Sequence, residues 1–237
     1  MGIRTANKEK RREQILEGAR ALLLEGGYDA FTTRKLAERS GVSVPTIYNL
    51  VGGKEEVLFA LVASTEREFW DTVEFPKKDD DLDAVEAFFN QCVDVSVDKP
   101  AEMASFVVVA DRIPSAYAFL GYEHPEHAGV GAQSVAFTTK AAGVFLDAGF
   151  LMGRISTATM GEHLFSVYRD PHRDWAHGVI TAEEFRRRFV RSAFLVMCAD
   201  ANDITRQQLF RRIEALDSVA ESSTEHDKNN GSQSCTS

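Results

Sequence analysis

Thr32-Thr-Arg-Lys-Leu-Ala-Glu-Arg-Ser-Gly-Val-Ser-Val-Pro-Thr-Ile-Tyr-Asn-Leu50 reads as two short helices, Thr33 to Ser40 and Val44 to Leu50, joined by a sharp turn. Gly41 supplies the break, because a residue without a Cβ takes positive φ at little cost. Leu36, Ala37, Val42 and Ile47 form a small shared core. Ser43, Pro45, Thr46, Tyr48 and Asn49 are left on the outer face. Ser43 is placed to cap the second helix through its hydroxyl, and Pro45 falls in the first turn, where a missing N–H costs little. The pair makes a rigid wedge whose second helix carries small, hydroxyl, amide and phenol side chains, a set that can enter a DNA major groove. The same two-helix pattern also occurs in helical proteins that never touch DNA, so the flanking sequence has to decide.

Upstream lie Arg4, Lys8, Lys10, Arg11 and Arg12, a basic cluster at the start of a helix predicted to run to about Leu24. Ile15, Ala19, Leu22 and Leu23 recur along that helix at helical spacing and should pack it over the wedge; Gly26-Gly27 ends it. Met1 to Asn7 is expected to be a flexible arm. Downstream, Gly52-Gly-Lys54-Glu-Glu-Val-Leu58 opens a further helix with a lysine in its first turn. The order of basic helix, Gly-Gly-Tyr28-Asp-Ala-Phe-Thr-Thr33, helix-turn-helix and Tyr48-Asn-Leu-Val-Gly-Gly-Lys54 resembles the N-terminal domain of the TetR family of bacterial transcriptional repressors over roughly Arg12 to Leu61. Where family members commonly carry an aromatic or histidine at the positions of Asn49 and Leu50, and phenylalanine at Val51, this chain has an amide and two aliphatic residues. The domain reading survives, since Asn49 can bond a phosphate or pair with adenine, but the operator sequence does not follow.

The resemblance implies DNA contacts from Thr33, Arg34, Ser43, Val44, Pro45, Thr46, Tyr48, Asn49 and Lys54. In the family, the threonine matching Thr33 and the lysine matching Lys54 contact the DNA backbone. It also implies a homodimer, a double-stranded, near-palindromic operator and a small-molecule pocket in a C-terminal helical domain. Charge is segregated in the way such a protein needs: residues 1–54 hold 10 lysines and arginines against 6 carboxylates, and residues 55–237 hold 17 against 30. A basic headpiece neutralises phosphates while an acidic body keeps DNA off the wrong surface.

The rest of the chain reads as helices without a convincing strand. The fold class is all-α: a three-helix headpiece over residues 1–53, a helical ligand-binding and dimerisation domain over 54–220, and a Ser, Asn, Gly and charge-rich tail, 221–237, expected to be disordered. A helix from Lys54 toward Phe75, with Leu58, Leu61, Val62, Thr65 and Phe69 on one face, belongs to both domains and is the obvious lever between them. Further helices are predicted over Asp83–Val97, Met103–Ile113, Ser134–Ala148, Ser156–Tyr168, Thr181–Ala199 and Asp203–Val219, with a polar connector over Asp170–Val179. The dimer is expected as a four-helix bundle of Ser156–Tyr168 and Thr181–Ala199 from two copies, with Phe194 in the contact.

Phe88, Phe89, Cys92, Phe106, Phe137 and Phe145 are the candidate lining of an apolar effector pocket, with Tyr122 and His163 as the polar groups that orient the ligand. Aromatics at helical spacing are often plain core, and several of these are expected to be just that. The pocket then suits an apolar or aromatic molecule, because no cluster of arginines offers a polyphosphate site. Ligand could release DNA, as in most of the family, or promote binding, as in a minority. His124 and His127 flank Pro125 in an irregular stretch with no strong third ligand, so no metal site is assigned. Gly129-Val-Gly-Ala-Gln-Ser134 lacks both a preceding strand and a third glycine, so no nucleotide cofactor is assigned. Cys92, Cys198 and Cys235 are far apart, which fits a reducing compartment. With no bilayer-length apolar run and no secretory leader, a cytoplasmic protein is expected. An enzyme of the helical domain, or a scaffold using the wedge on a protein partner, are the competing readings; no Ser/His/Asp or Cys/His set falls on recognisable elements to support the first.

Overall fold

The computed structural model describes the backbone of residues 3–112 and 130–231 and the side chains of residues 5–112 and 131–218. Ten helices occur among them: α1 (Ile3–Ala30), α2 (Thr33–Ser40), α3 (Val44–Leu50), α4 (Lys54–Trp70), α5 (Leu82–Val97), α6 (Pro100–Arg112), α7 (Val130–Asp147), α8 (Thr157–Ala176), α9 (Ala182–Cys198) and α10 (Asp203–Gly231). The one extended pairing among the described residues is an isolated bridge between Leu151 and Ala201, so the chain is all-α.

Local chemistry sets most boundaries. Thr32 caps α2 by accepting from Lys35 N at 3.2 Å, Ser43 caps α3 by accepting from Thr46 N at 3.3 Å, and Asp81, Ser156 and Thr181 cap α5, α8 and α9 in the same way. Gly41 stands at φ 63°, ψ 30°, the left-handed conformation the turn between α2 and α3 requires. Gly27, at φ 67°, interrupts α1 within its assigned span.

Five expectations from the sequence are corrected. Helix α1 begins at Ile3 rather than after a flexible arm to Asn7, because nothing between Ile3 and Gly18 breaks a helix. Helix α4 stops at Trp70 with Asp71 as its cap, short of Pro76, and Phe75 folds back against Phe88 and Phe137 at centroid distances of 5.5 and 4.9 Å. Helix α7 starts at Val130, a full turn before Ser134. Helix α8 passes through Pro171 to Ala176 instead of ending at Tyr168; the lost backbone bond is outweighed by burial of Pro171 and by His172 and Trp175 packing on Phe185 at 5.5 and 5.9 Å. Helix α10 continues to Gly231, since its polar sequence contains no proline and no glycine before that point. Residues 232–237 of the expected disordered tail lie outside the described residues, as do Tyr122, His124 and His127.

One apolar core runs from Ile15 in α1 to Ile213 in α10, with α4 passing through it. Helices α7 and α8 make the most extensive pair. They approach closely because Gly161 has no side chain: a Cβ there would stand 2.5 and 2.6 Å from the backbone N and Cα of Thr139. Thr138 closes the same seam by donating to Gly161 O at 2.7 Å. The α9–α10 junction is fixed by Asp200, buried, whose carboxylate accepts from the backbone N of Gly153, Arg154 and Ile155 at 2.8, 2.9 and 3.3 Å.

Two glycines therefore predict opposite outcomes. Gly161→Ala forces α7 and α8 apart and should destabilise the fold by about 1–3 kcal/mol. Gly143→Ala in α7 meets nothing within 4 Å and should stabilise it by about 0.5–1 kcal/mol through helix propensity. Urea unfolding of both variants checks the pair of signs.

Candidate nucleic-acid interface and interior cavity

The headpiece holds its recognition surface by burying the opposite one. Ile15, Ala19 and Leu23 of α1 pack with Leu36 and Ala37 of α2 and Ile47 of α3, all buried. With Ile47 locked inward, Tyr48 is 57% exposed and Asn49 is exposed beside it. Ser43 and Pro45 are exposed, while Thr33, Val44 and Thr46 are half-buried. Arg34 is exposed and meets Glu38, at 3.4 Å on its own helix. Thr46 shares a 2.8 Å hydroxyl contact with Ser43, so it braces the cap as well as facing outward. Lys8, Lys10 and Arg11 on α1 are exposed.

Lys54 is more tied down than the sequence indicated. Its ammonium donates to Tyr28 O at 2.9 Å and sits 4.0 Å from the centre of the Tyr28 ring, pinning the start of α4 to the end of α1. An ammonium has three protons, and the others remain for a phosphate.

The second candidate feature lies at the far end of α4. A cavity with about 560 Å³ of empty space, part of it open to solvent, is enclosed by α4, α6, α7 and α8. Its walls are Val62, Phe69 and Trp70 from α4, Met103, Phe106, Val107 and Ala110 from α6, Ser134 from α7, and Phe165, Tyr168, Arg169 and His172 from α8. Of the lining read from the sequence, Phe106 is here. Phe88, Phe89, Cys92 and Phe137 surround a smaller gap of about 270 Å³ behind Trp70, whose ring stacks on Phe137 at 4.3 Å. Phe145 lines neither; it is fully buried against Phe88 and Phe89 and is core. His163 is a correction, because it is exposed on the outer side of α8 and cannot orient a ligand in this cavity. Burial pushes the Cys92 thiol up, which leaves it an inert core group.

The polar groups of the cavity are Thr65, Glu66, Ser134, Arg169 and His172, none of which the sequence marked as a ligand group. Trp70 Nε1 donates to Ser134 Oγ at 2.9 Å. Burial pushes the Glu66 carboxyl well above the usual carboxylate range, opposed by a hydrogen bond from Ser134. Burial holds the His172 imidazole down at about 4, so it is neutral at physiological pH. It shares the Ser96 hydroxyl with Tyr168, at 3.3 and 2.9 Å. The available signal was the spacing of Val62, Glu66, Phe69 and Trp70, which sets one carboxylate inside an apolar helical stripe.

Headpiece and cavity are joined by Arg20 of α1. Its guanidinium donates to Thr65 Oγ1 at 3.2 Å, pairs with Glu68 on α4 at 3.0 Å and reaches Glu102 on α6 at 3.3 Å. Arg112 at the end of α6 adds a second tie, 3.5 Å from Asp29 and over the Tyr28 ring.

Comparison with known proteins agrees with this geometry. The family described as bacterial regulatory proteins, tetR family, matches residues 15–61. The HTH-type transcriptional repressor AcnR of Corynebacterium efficiens is 36% identical over 74 residues, 31% of this chain and 39% of that protein. The class D tetracycline repressor protein of Escherichia coli is 46% identical over 50 residues, 21% of this chain and 23% of that one. The chain thus aligns with well under two thirds of these relatives' length. Over the whole fold, a TetR-family transcriptional regulator from Pectobacterium atrosepticum superposes with a TM-score of 0.59 at 17% identity, covering 83% of this chain and 96% of that one. Residues 15–61 of this chain thus carry the N-terminal helix-turn-helix domain of the tetR family of bacterial regulatory proteins.

Proposed function

We propose that the chain is a dimeric, DNA-binding transcriptional repressor released from a near-palindromic operator by a small apolar or aromatic molecule. Residues 1–53 read the DNA; residues 54–220 bind the effector and dimerise. The observation that carries this reading is α4: its first residue, Lys54, touches the headpiece, and its last turns, through Phe69 and Trp70, wall the cavity. A ligand that prefers one setting of α4 thereby prefers one placement of the recognition helix. The segregated charge supports duplex DNA over a neutral or basic protein partner.

We put the dimer contact on α9 and α10. The segment Ser156–Tyr168, expected from the sequence to join the bundle, exposes Thr159, Glu162 and His163, all polar or ionisable. Phe194 is fully buried within one chain, so its replacement by glutamate would test folding rather than assembly. Leu195 on α9 and Phe210 on α10 are 49% and 46% exposed and are the apolar groups to probe.

Selection of genomic fragments by the purified protein should enrich an inverted repeat whose half-sites lie roughly 34–36 Å apart, one helical turn. Asn49→Ala and Tyr48→Phe should each weaken binding to that repeat by about 1–3 kcal/mol where a base or phosphate contact is lost. Failure to enrich any repeat overturns the reading. Leu195→Glu combined with Phe210→Glu should give folded monomers by sedimentation that no longer hold the operator; a stable dimer would overturn the α9–α10 placement.

A further inference from the structure

Among the described residues, the cavity wall holds a carboxyl oxygen with nothing to bond. Glu66 Oε2 is shut off from water and has no hydrogen-bond partner among the described residues. Leaving a carboxyl oxygen buried and unpaired is unfavourable, so a native protein retains one where a ligand or partner completes it. The surroundings define what can do so. Val62, Phe69, Met103 and Phe106 form an apolar wall, and Trp70 and Tyr168 border the same space. Arg169 also lines the cavity, in contact with Asp170 at 3.3 Å, yet no cation among the described residues offsets the burial of Glu66; only the Ser134 hydroxyl acts against it. His172 is held neutral by its own burial. Among the described residues, the cavity therefore has one unmatched acceptor and no positive charge that compensates it.

We infer that this cavity selects a protonated amine carried on a small aromatic or apolar body, with the ammonium N–H donated to Glu66 Oε2 and the body against Phe69, Phe106 and Trp70. The inference rests on the reading of the cavity as the effector site and narrows it, from apolar molecules in general to amphipathic cations. Entry of the amine supplies both the missing donor and the countercharge, so Glu66 is ionised in the complex. A neutral molecule of the same shape brings no countercharge, so the carboxyl stays a buried neutral acid, and an anion brings a second acid group into an apolar space without the charge that would ionise Glu66.

Three phenylethyl compounds of nearly equal size separate these cases: 2-phenylethylamine, a cation at neutral pH, 2-phenylethanol and phenylacetate. Calorimetry on the full-length protein should show the amine bound at least about tenfold tighter than the alcohol, with phenylacetate weakest. Glu66→Gln should bring the amine down to the alcohol's affinity while leaving the alcohol unchanged. Equal affinity of amine and alcohol for the wild-type protein, a measurement that needs no variant, overturns the inference and leaves the apolar pocket standing. A preference for the amine that persists in Glu66→Gln overturns it as well. If none of the three perturbs the Trp70 indole resonance, the effector-site reading falls together with it.

Discussion

The guanidinium of Arg20 ties the headpiece to two helices of the body at once. It sits on α1, inside the headpiece, and bonds simultaneously to Thr65 and Glu68 on α4 and to Glu102 on α6. A single exposed ion pair is worth at most about 1 kcal/mol. Arg20 is less exposed than that, at 29% of its side chain, and Glu102 at 16%, so removing it would strand the partly desolvated Glu102 carboxylate, while Glu68 at 61% would return to water. The consequence is geometric as much as energetic: α1 cannot shift relative to α4 without moving α6 or breaking a charged bond. Thr65, which accepts one of those bonds, is also a wall of the cavity.

In the proposed function, helix α4 is the lever that uses that arrangement. Its 17 residues span about 25 Å, from the Lys54 contact with Tyr28 to the Trp70 contact with Ser134. A change of a hundredfold in DNA affinity asks for about 2.7 kcal/mol of coupling. That is comparable to one buried aromatic side chain, or to one desolvated carboxyl gaining a partner. On the proposed function both changes fall in the last turns of α4, next to Thr65, the residue that Arg20 holds.

The headpiece was legible in the sequence because its determinants are local. Ser43, Gly41 and Pro45 each act within a few residues, and the 3–4 spacing of Ile15, Ala19 and Leu23 needs no tertiary knowledge. The cavity was legible only as aromatic content. Phe88, Phe137 and Phe145 are as apolar as Phe106, and which of them faces a void depends on how α4, α6, α7 and α8 cross, which no spacing encodes. Glu66 could have been noticed as a charge within the Val62–Trp70 stripe; Arg20 could not, since its partners lie 45 to 82 residues away along the chain. The end of α8 was misread for a related reason: Pro171 is a local stop signal, overridden by the distant packing of His172 and Trp175 on Phe185.

The most direct test of the account is the operator affinity of the protein measured by fluorescence anisotropy with its cavity empty and with it saturated by whichever phenylethyl compound binds there. The lever through α4 predicts a loss of affinity on the order of a hundredfold when the cavity is filled. The same affinity with the cavity empty and filled would contradict it, because a ligand that does not distinguish the two settings of α4 cannot shift the recognition helices.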